Sequence, residues 1–194
     1  MTKKKASGDA SPPPKEPRGG RTGTTLSAGM LKIFSVGTLI IGDSGIGKSE
    51  SALELIARGH KFISDDVVHV VQRGSGRLVG MAPRLSRDFM EIRGLGIINI
   101  REIFGTRAIL SKAQVDLIIK LKKWRRGFEY DRLGLRFPED VVILGAKVPQ
   151  LFIPVAPGRN IATLIEVACK VHLLRKKGYH APREIIRRLD RALT

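Results

Sequence analysis

The 194-residue sequence predicts an α/β fold, a P-loop nucleotide-binding domain with helices at its C-terminal end. Three observations lead there. Gly42-Asp43-Ser44-Gly45-Ile46-Gly47-Lys48-Ser49 fits G-x-x-x-x-G-K-[ST]. Short, β-branched apolar runs bounded by turn residues recur along the chain, the pattern of buried strands. Residues 160–174 and 183–193 carry the apolar spacing of helices.

The loop's flanks supply the context the motif requires. Residues 37–41, Gly-Thr-Leu-Ile-Ile, read as a buried strand, and residues 50–57 read as a helix with Leu53, Ile56 and Ala57 on its apolar side. Glycines let such a backbone curl so that successive N–H groups point at phosphate oxygens, and the helix N-terminus adds partial positive charge. Lys48 would then reach the β- and γ-phosphates and Ser49 would offer its hydroxyl to Mg²⁺. Gly42, Asp43, Ser44, Gly45, Ile46, Gly47, Lys48 and Ser49 are therefore the expected nucleotide-binding residues.

Taken in order, residues 1–27 are rich in Lys, Ser, Gly, Pro and Thr, with Pro12-Pro13-Pro14 and Gly19-Gly20. They hold too little apolar area to offset the entropy of ordering and are expected to be a disordered basic tail. Order is expected from about Met30, with a strand over 30–34 turning into the loop strand. The loop helix should end at Arg58-Gly59-His60, with Gly59 as its stop. Residues 61–63 read as a strand that delivers Ser64-Asp65-Asp66, and residues 67–71 continue as strand. Residues 116–121, 141–144 and 150–155 complete the strands, with Pro154 suited to a strand edge or end. Residues 122–127 read as an exposed basic loop. The stretch 90–104 is unusual for scaffold: Glu91-Ile92-Arg93 precedes Gly94 and Gly96, glycines that suggest tight geometry or close approach to a ligand.

The formal net charge is +17. Residues 1–27 hold six lysines and arginines against two acids, and residues 171–194 hold seven against two. This balance suits an acidic protein, an anionic surface or nucleic acid. With 5% aromatic residues and no nucleic-acid motif, stacking platforms are scarce, so nucleic acid is the weaker reading. No apolar run reaches the roughly 18 residues of a membrane span. One cysteine, Cys169, excludes an intrachain disulfide, suits a reducing cytoplasm and reads as a core residue. The four histidines, His60, His69, His172 and His180, show no metal-ligand spacing.

Phosphoryl transfer needs a base and a second hold on the metal. Asp65 and Asp66 could divide that work, one near the metal and one as general base, and their mutual repulsion should raise a pKa. Glu91 and Arg93 read either as a metal ligand and a phosphate clamp or as a surface ion pair. Arg132, in Asp131-Arg132-Leu133-Gly134, is a candidate for offsetting charge on the transferring group.

Several stretches occurring in order resemble one family. They are the loop through Glu50, Arg58-Gly59-His60, Ser64-Asp65-Asp66, the run from Met90 to Ile100, Tyr130-Asp131-Arg132-Leu133-Gly134, and Ile153-Pro154-Val155 with Pro157-Gly158-Arg159-Asn160. They resemble the catalytic C-terminal domain of HPr kinase/phosphorylase over about residues 30 to 180, which makes 28–194 the expected catalytic domain. The resemblance implies a fold akin to phosphoenolpyruvate carboxykinase and a homo-hexamer. It implies an ATP- and Mg²⁺-dependent serine kinase acting on HPr, the phosphocarrier of the bacterial sugar phosphotransferase system. It also implies phosphorolysis of phosphoseryl-HPr by inorganic phosphate. Carried over by position, Lys48, Asp66 and Arg132 are catalytic, with Asp66 the proton acceptor forward and donor in reverse. Ser49 and Glu91 hold the metal, Asp65 and Arg93 stand beside them, and Ile153, Pro154, Val155, Ala156, Pro157 and Gly158 form a segment linked to dephosphorylation.

Three departures qualify this. A basic tail stands where relatives commonly have an N-terminal domain of more than about a hundred residues. Ser27 stands at the usual place of a histidine. Residues 120–126, Lys-Leu-Lys-Lys-Trp-Arg-Arg, are more basic than is typical there. The alternative reading is a catalytically impaired ATP-sensing regulatory module.

Overall fold

The computed structural model describes residues 23–74, 76–124 and 140–193. The elements run β1 (Gly23–Ser27), β2 (Gly29–Ile33), β3 (Val36–Ile41), α1 (Lys48–Ala57), β4 (Lys61–Ser64), β5 (Val67–Arg73), β6 (Arg77–Met81), β7 (Phe89–Ile92) and β8 (Gly96–Asn99). They continue through α2 (Ile100–Phe104), β9 (Lys112–Gln114), β10 (Leu117–Lys123), β11 (Asp140–Ile143), β12 (Ala146–Val155), α3 (Ile161–Lys176) and α4 (Ala181–Leu193).

The main sheet has the order β11-β12-β10-β3-β2-β4. β10 runs parallel to both β3 and β12, while β2 is antiparallel to β3 and to β4. The reversal through β2 returns β4 to the direction of β3, so β4, β3, β10 and β12 all end at one edge. Ligands of open α/β sheets bind beyond that carboxyl edge. The central strands are apolar on both faces because both are covered. On one side α1 and α3 pack Leu55, Ile56, Ile165 and Cys169 against Leu31, Ile40, Ile119 and Leu121. On the other, Met30, Leu39 and Ile118 meet Val68, Val70 and Leu78 of a second sheet, ordered β1-β5-β6-β9. Each fully buried Leu, Ile or Phe there contributes about 1.5–3 kcal/mol.

The sheets meet tightly at two glycines. A Cβ on Gly80 would stand 2.4 Å from Met30 Sδ, and one on Gly37 would stand 1.7 Å from the Gln114 carbonyl oxygen. Gly37 is also clamped through its backbone: its N–H donates to Asp116 Oδ2 at 2.9 Å, and its carbonyl accepts from the Asp116 N–H at 2.8 Å.

Two expectations are corrected. The boundary of the disordered tail at residue 27 moves, because Gly23–Ser27 form β1, antiparallel to β5 in the register Gly23↔Val71 to Ser27↔Val67. Thr24 and Leu26 turn inward along it, so the pairing and a share of the second core order this segment. Residues 67–71 are indeed strand, yet they do not prolong β4: the chain turns at Asp65–Asp66 and β5 enters the second sheet. α1, α3 and α4 match the sequence, while α2 lies in the stretch 90–104, where no helix was expected. Asn160 caps α3, accepting from the Thr163 N–H at 2.7 Å, and Gly59 follows α1 at φ 92°. α4 buries no residue.

Candidate functional site

The loop lies at the carboxyl edge, between β3 and α1. Gly47 takes φ 99° and Gly45 φ 72°, left-handed values that favour glycine. Gly42 is excluded from carrying a side chain by packing, since its Cβ would lie 2.9 Å from the Leu121 carbonyl oxygen. No side chain caps the N-terminus of α1, so the first-turn N–H groups face the loop with the positive end of the helix dipole behind them. Such a terminus is suited to an anion. Lys48 opens the helix and is buried. Its ammonium folds back over the loop, donating to the carbonyls of Gly42 at 3.0 Å and Asp43 at 3.1 Å.

Ser49, one residue on, donates its hydroxyl to the Asp65 carboxylate, 3.2 Å from each oxygen. β4 delivers Asp65 to this spot, and the chain then folds sharply. The Val67 N–H donates to the Asp65 carbonyl at 2.6 Å around Asp66, whose φ is 58°. Such a tight turn on a non-glycine residue is uncommon and strained, a feature that gathers at functional sites. The Asp66 carbonyl accepts from the Ala28 N–H at 2.9 Å, which ties the turn to the start of β2. As a result Asp65 is buried and Asp66 exposed. Burial pushes the Asp65 carboxyl up to about 6, with the charge of Asp66 adding to it; donation from Ser49 and from the backbone N–H groups of Glu91 and Asp66 works the other way. The raised pKa expected of the pair is therefore found on Asp65, and burial rather than repulsion is its first cause.

The hairpin of β7 and β8 closes one side. Its Glu91 backbone holds Asp65, while the Glu91 side chain is exposed. Arg93 reaches the loop: a Cβ on Gly45 would stand 3.5 Å from Arg93 Nη2. Among the described residues no ion pair joins Glu91 to Arg93. Gly94 and Gly96 serve the hairpin turn at φ 89° and 81°, left-handed values that favour glycine, so turn geometry requires them.

β12 brings Ile153, Pro154 and Val155 to the same edge, and Ala156, Pro157 and Gly158 continue beyond it. Arg159 Nη1 donates to the Pro154 carbonyl at 2.7 Å, and the Trp124 N–H donates to that of Val155 at 2.8 Å. Arg132 lies outside the described residues.

The remaining polar groups serve the scaffold. His60 Nε2 lies 2.7 Å from Glu166 Oε1, and Arg58 bonds Glu166 at 2.6 Å, so the pair joins α1 to α3. His69 Nδ1 lies 2.9 Å from Thr25 Oγ1. Cys169 is buried beside Thr38 Oγ1, and burial pushes its thiol up to about 11, as befits an unreactive core residue. Sequence reasoning anticipated that the aspartates divide the work but missed that Asp65 is the partner of Ser49, which depends on the Asp66 turn and on β7 and which no local signal reveals.

Fold and site together define a class: a mixed α/β protein whose parallel strands end on a glycine loop, a buried lysine and an aspartate pair. Within it, the chain belongs to the HPr serine kinase C-terminal domain family, whose family model matches residues 22–189. It is 46% identical over 166 residues to the HPr kinase/phosphorylase of Geobacter sulfurreducens, covering 86% of this chain and 52% of that protein. It is 44% identical over 166 residues to that of Bacillus licheniformis, covering 86% of this chain and 53% of that one. The chain spans about half the length of the curated relatives it matches. The solved structure of the HPr(Ser) kinase/phosphatase from Coxiella burnetii superposes with a TM-score of 0.74 at 35% identity, covering 84% of this chain and 98% of that one.

Proposed function

We propose that the chain transfers the γ-phosphoryl group of ATP to a serine of the phosphocarrier HPr, and that the same site performs phosphorolysis of phosphoseryl-HPr with inorganic phosphate. The observation that carries this reading is the donation of the Ser49 hydroxyl to Asp65 at the N-terminus of α1, with Lys48 and Asp66 beside it. The loop N–H groups and Lys48 hold the β- and γ-phosphates. Arg93 stands where it can clamp a phosphate oxygen, and Arg132 offsets charge on the transferring group.

The donor set fits Mg²⁺. Ser49, Asp65 and Glu91 offer hard oxygens, and Mg²⁺ is commonly held through one or two carboxylates and substrate oxygens. Bound Mg²⁺ would neutralise charge on the phosphate oxygens.

Forward, the bond from the serine oxygen to the γ-phosphorus forms as the bond to the β-γ bridging oxygen breaks, and the serine proton passes to Asp66. In reverse, an oxygen of inorganic phosphate attacks the phosphoserine phosphorus as the bond from phosphorus to the serine oxygen breaks. Pyrophosphate leaves, and Asp66 returns a proton to the serine oxygen. The segment 153–158, on the same edge, is proposed to serve this direction. The resemblance also supports a phosphoenolpyruvate carboxykinase-like P-loop fold, a homo-hexamer and a cytoplasmic site of action. No described helix is long and apolar enough to cross a membrane.

One observation favours a second reading. Ser27, at the usual histidine position, pairs in register with Val67 beside Asp66. Without an imidazole at that place, proton handling in one direction is expected to weaken, and in the limit the chain is an ATP-sensing module. Purified chain with Mg-ATP and HPr, followed by intact mass, and then phosphoseryl-HPr with phosphate, followed by pyrophosphate release, test both. Serine phosphorylation is expected. ATP binding with no transfer in either direction would contradict the kinase reading and favour the module.

A further inference from the structure

Lys120 and Lys122 have no part in the chemistry above, yet they stand at its rim. Leu117, Ile119 and Leu121 of β10 face the helices, while Ile118 joins the opposite core. Strand alternation therefore puts Lys120 and Lys122 on the face away from α1 and α3. The parallel register sets Phe152 of β12 opposite Lys120, and Pro154 opposite Lys122. The Lys122 ammonium lies 4.3 Å from the Phe152 ring centroid and that of Lys120 6.0 Å from it. The ring itself remains 45% exposed. On its other side Lys120 pairs with Ile41, the last residue of β3 before the glycine loop. The patch thus begins at the mouth of the loop and runs outward through Lys122 and Lys123.

Among the described residues no carboxylate pairs with these lysines. Their field reaches whatever approaches the loop, within a Debye length of about 8–10 Å. Two ammonium groups resting on one ring have given up part of their rotamer freedom before any partner arrives. An exposed aromatic ring edged by fixed charge is the composition of an interface anchor with a polar rim. The nucleotide phosphates are served from the α1 side by the loop and Lys48, so the patch faces the partner that enters from outside.

We infer that Lys120, Lys122 and Phe152 form a docking patch for the protein acceptor, one that selects an acceptor carrying carboxylates and an apolar side chain next to its reactive serine. This rests on the proposed kinase reading and adds to it the surface chemistry of the acceptor.

The test uses the full chain and two versions of HPr, one with Asp and Glu beside the acceptor serine and one with lysines there. Binding is measured by calorimetry with a non-hydrolysable ATP analogue, and KM and kcat by phosphoryl transfer. For K120E/K122E the account expects about tenfold weaker binding and a similarly raised KM for the acidic version, with tighter binding of the lysine version. It expects kcat within about twofold at saturating nucleotide, with ATP affinity measured separately so that the field on the phosphates is told apart from the loss of the acceptor. The neutral K120Q/K122Q pair should fall between, and Phe152→Ala should weaken both versions. Equal losses for both versions, or no change for either, would overturn the patch. So would acceptor binding insensitive to the charge pairs while anionic vesicles or polyuridylate lose affinity. If the wild-type chain transfers no phosphoryl group, the kinase reading fails by itself. Binding then decides the patch alone: charge-dependent binding supports it, and charge-independent binding overturns it.

Discussion

Asp65 and Asp66 are adjacent in sequence and differ in environment because the backbone folds between them. Asp65 is enclosed by Ser49 and by the Glu91 and Asp66 N–H groups, while Asp66 is presented on a turn at φ 58°. Burial first, and the Asp66 charge second, raise Asp65 to about 6. The sign of its effect on stability follows. Between the ordinary carboxylate range and about pH 6 the folded chain keeps a proton that the unfolded chain releases, so this group's contribution is fully present at low pH and is lost as pH rises through 6. At pH 8 the wild type bears up to about 3 kcal/mol of penalty. Asp65→Asn cannot ionise, so in chelator-treated protein it should be more stable than wild type at pH 8, with the advantage vanishing by about pH 4. Urea unfolding at the two pH values measures this, and a variant less stable than wild type at pH 8 would contradict the burial account. The same variant should lose most phosphoryl transfer, a trade of function for stability. The pair was legible in the sequence as Asp-Asp after a strand. Which aspartate meets Ser49 was not, because burial there depends on β7, twenty-odd residues away.

At the scale of elements, the local signals were strongest where sequence and contact agree. β3, the loop, α1, α3 and α4 were each visible from apolar spacing, glycines and caps. The second sheet was not, although residues 67–71 were recognised as strand. β9 has three residues and β6 five, too short for periodicity to mark them, and their place is set by pairing with distant strands. β1 was hidden for a related reason: Gly-Thr-Thr-Leu-Ser is too polar to announce a strand until β5 supplies its partner. Gly37 shows how this layer is locked to the main sheet, since the Gln114 carbonyl of β9 occupies the volume of a Cβ. Gly37→Ala should cost about 3 kcal/mol or more, because the obstructing group is backbone and cannot swing aside. Denaturant midpoints measure it, and a loss under about 0.5 kcal/mol would show that the sheets separate freely at that point.

Taken whole, the molecule gathers its chemistry at the carboxyl edge of four co-directed strands, where the loop, the aspartate turn, the β7–β8 hairpin and the end of β12 converge. Of the cations behind the net charge of +17, Lys48, Arg93, Lys120 and Lys122 stand at that edge among the described residues. The central claim is that this edge transfers a phosphoryl group with Asp66 as the base. Asparagine tolerates the left-handed backbone of residue 66, so Asp66→Asn removes the carboxylate and keeps the turn. The most direct test measures ATP affinity and HPr serine phosphorylation in wild type and Asp66→Asn side by side. The account predicts ATP affinity within about twofold and transfer reduced by about a hundredfold or more. Undiminished transfer in the variant would contradict it.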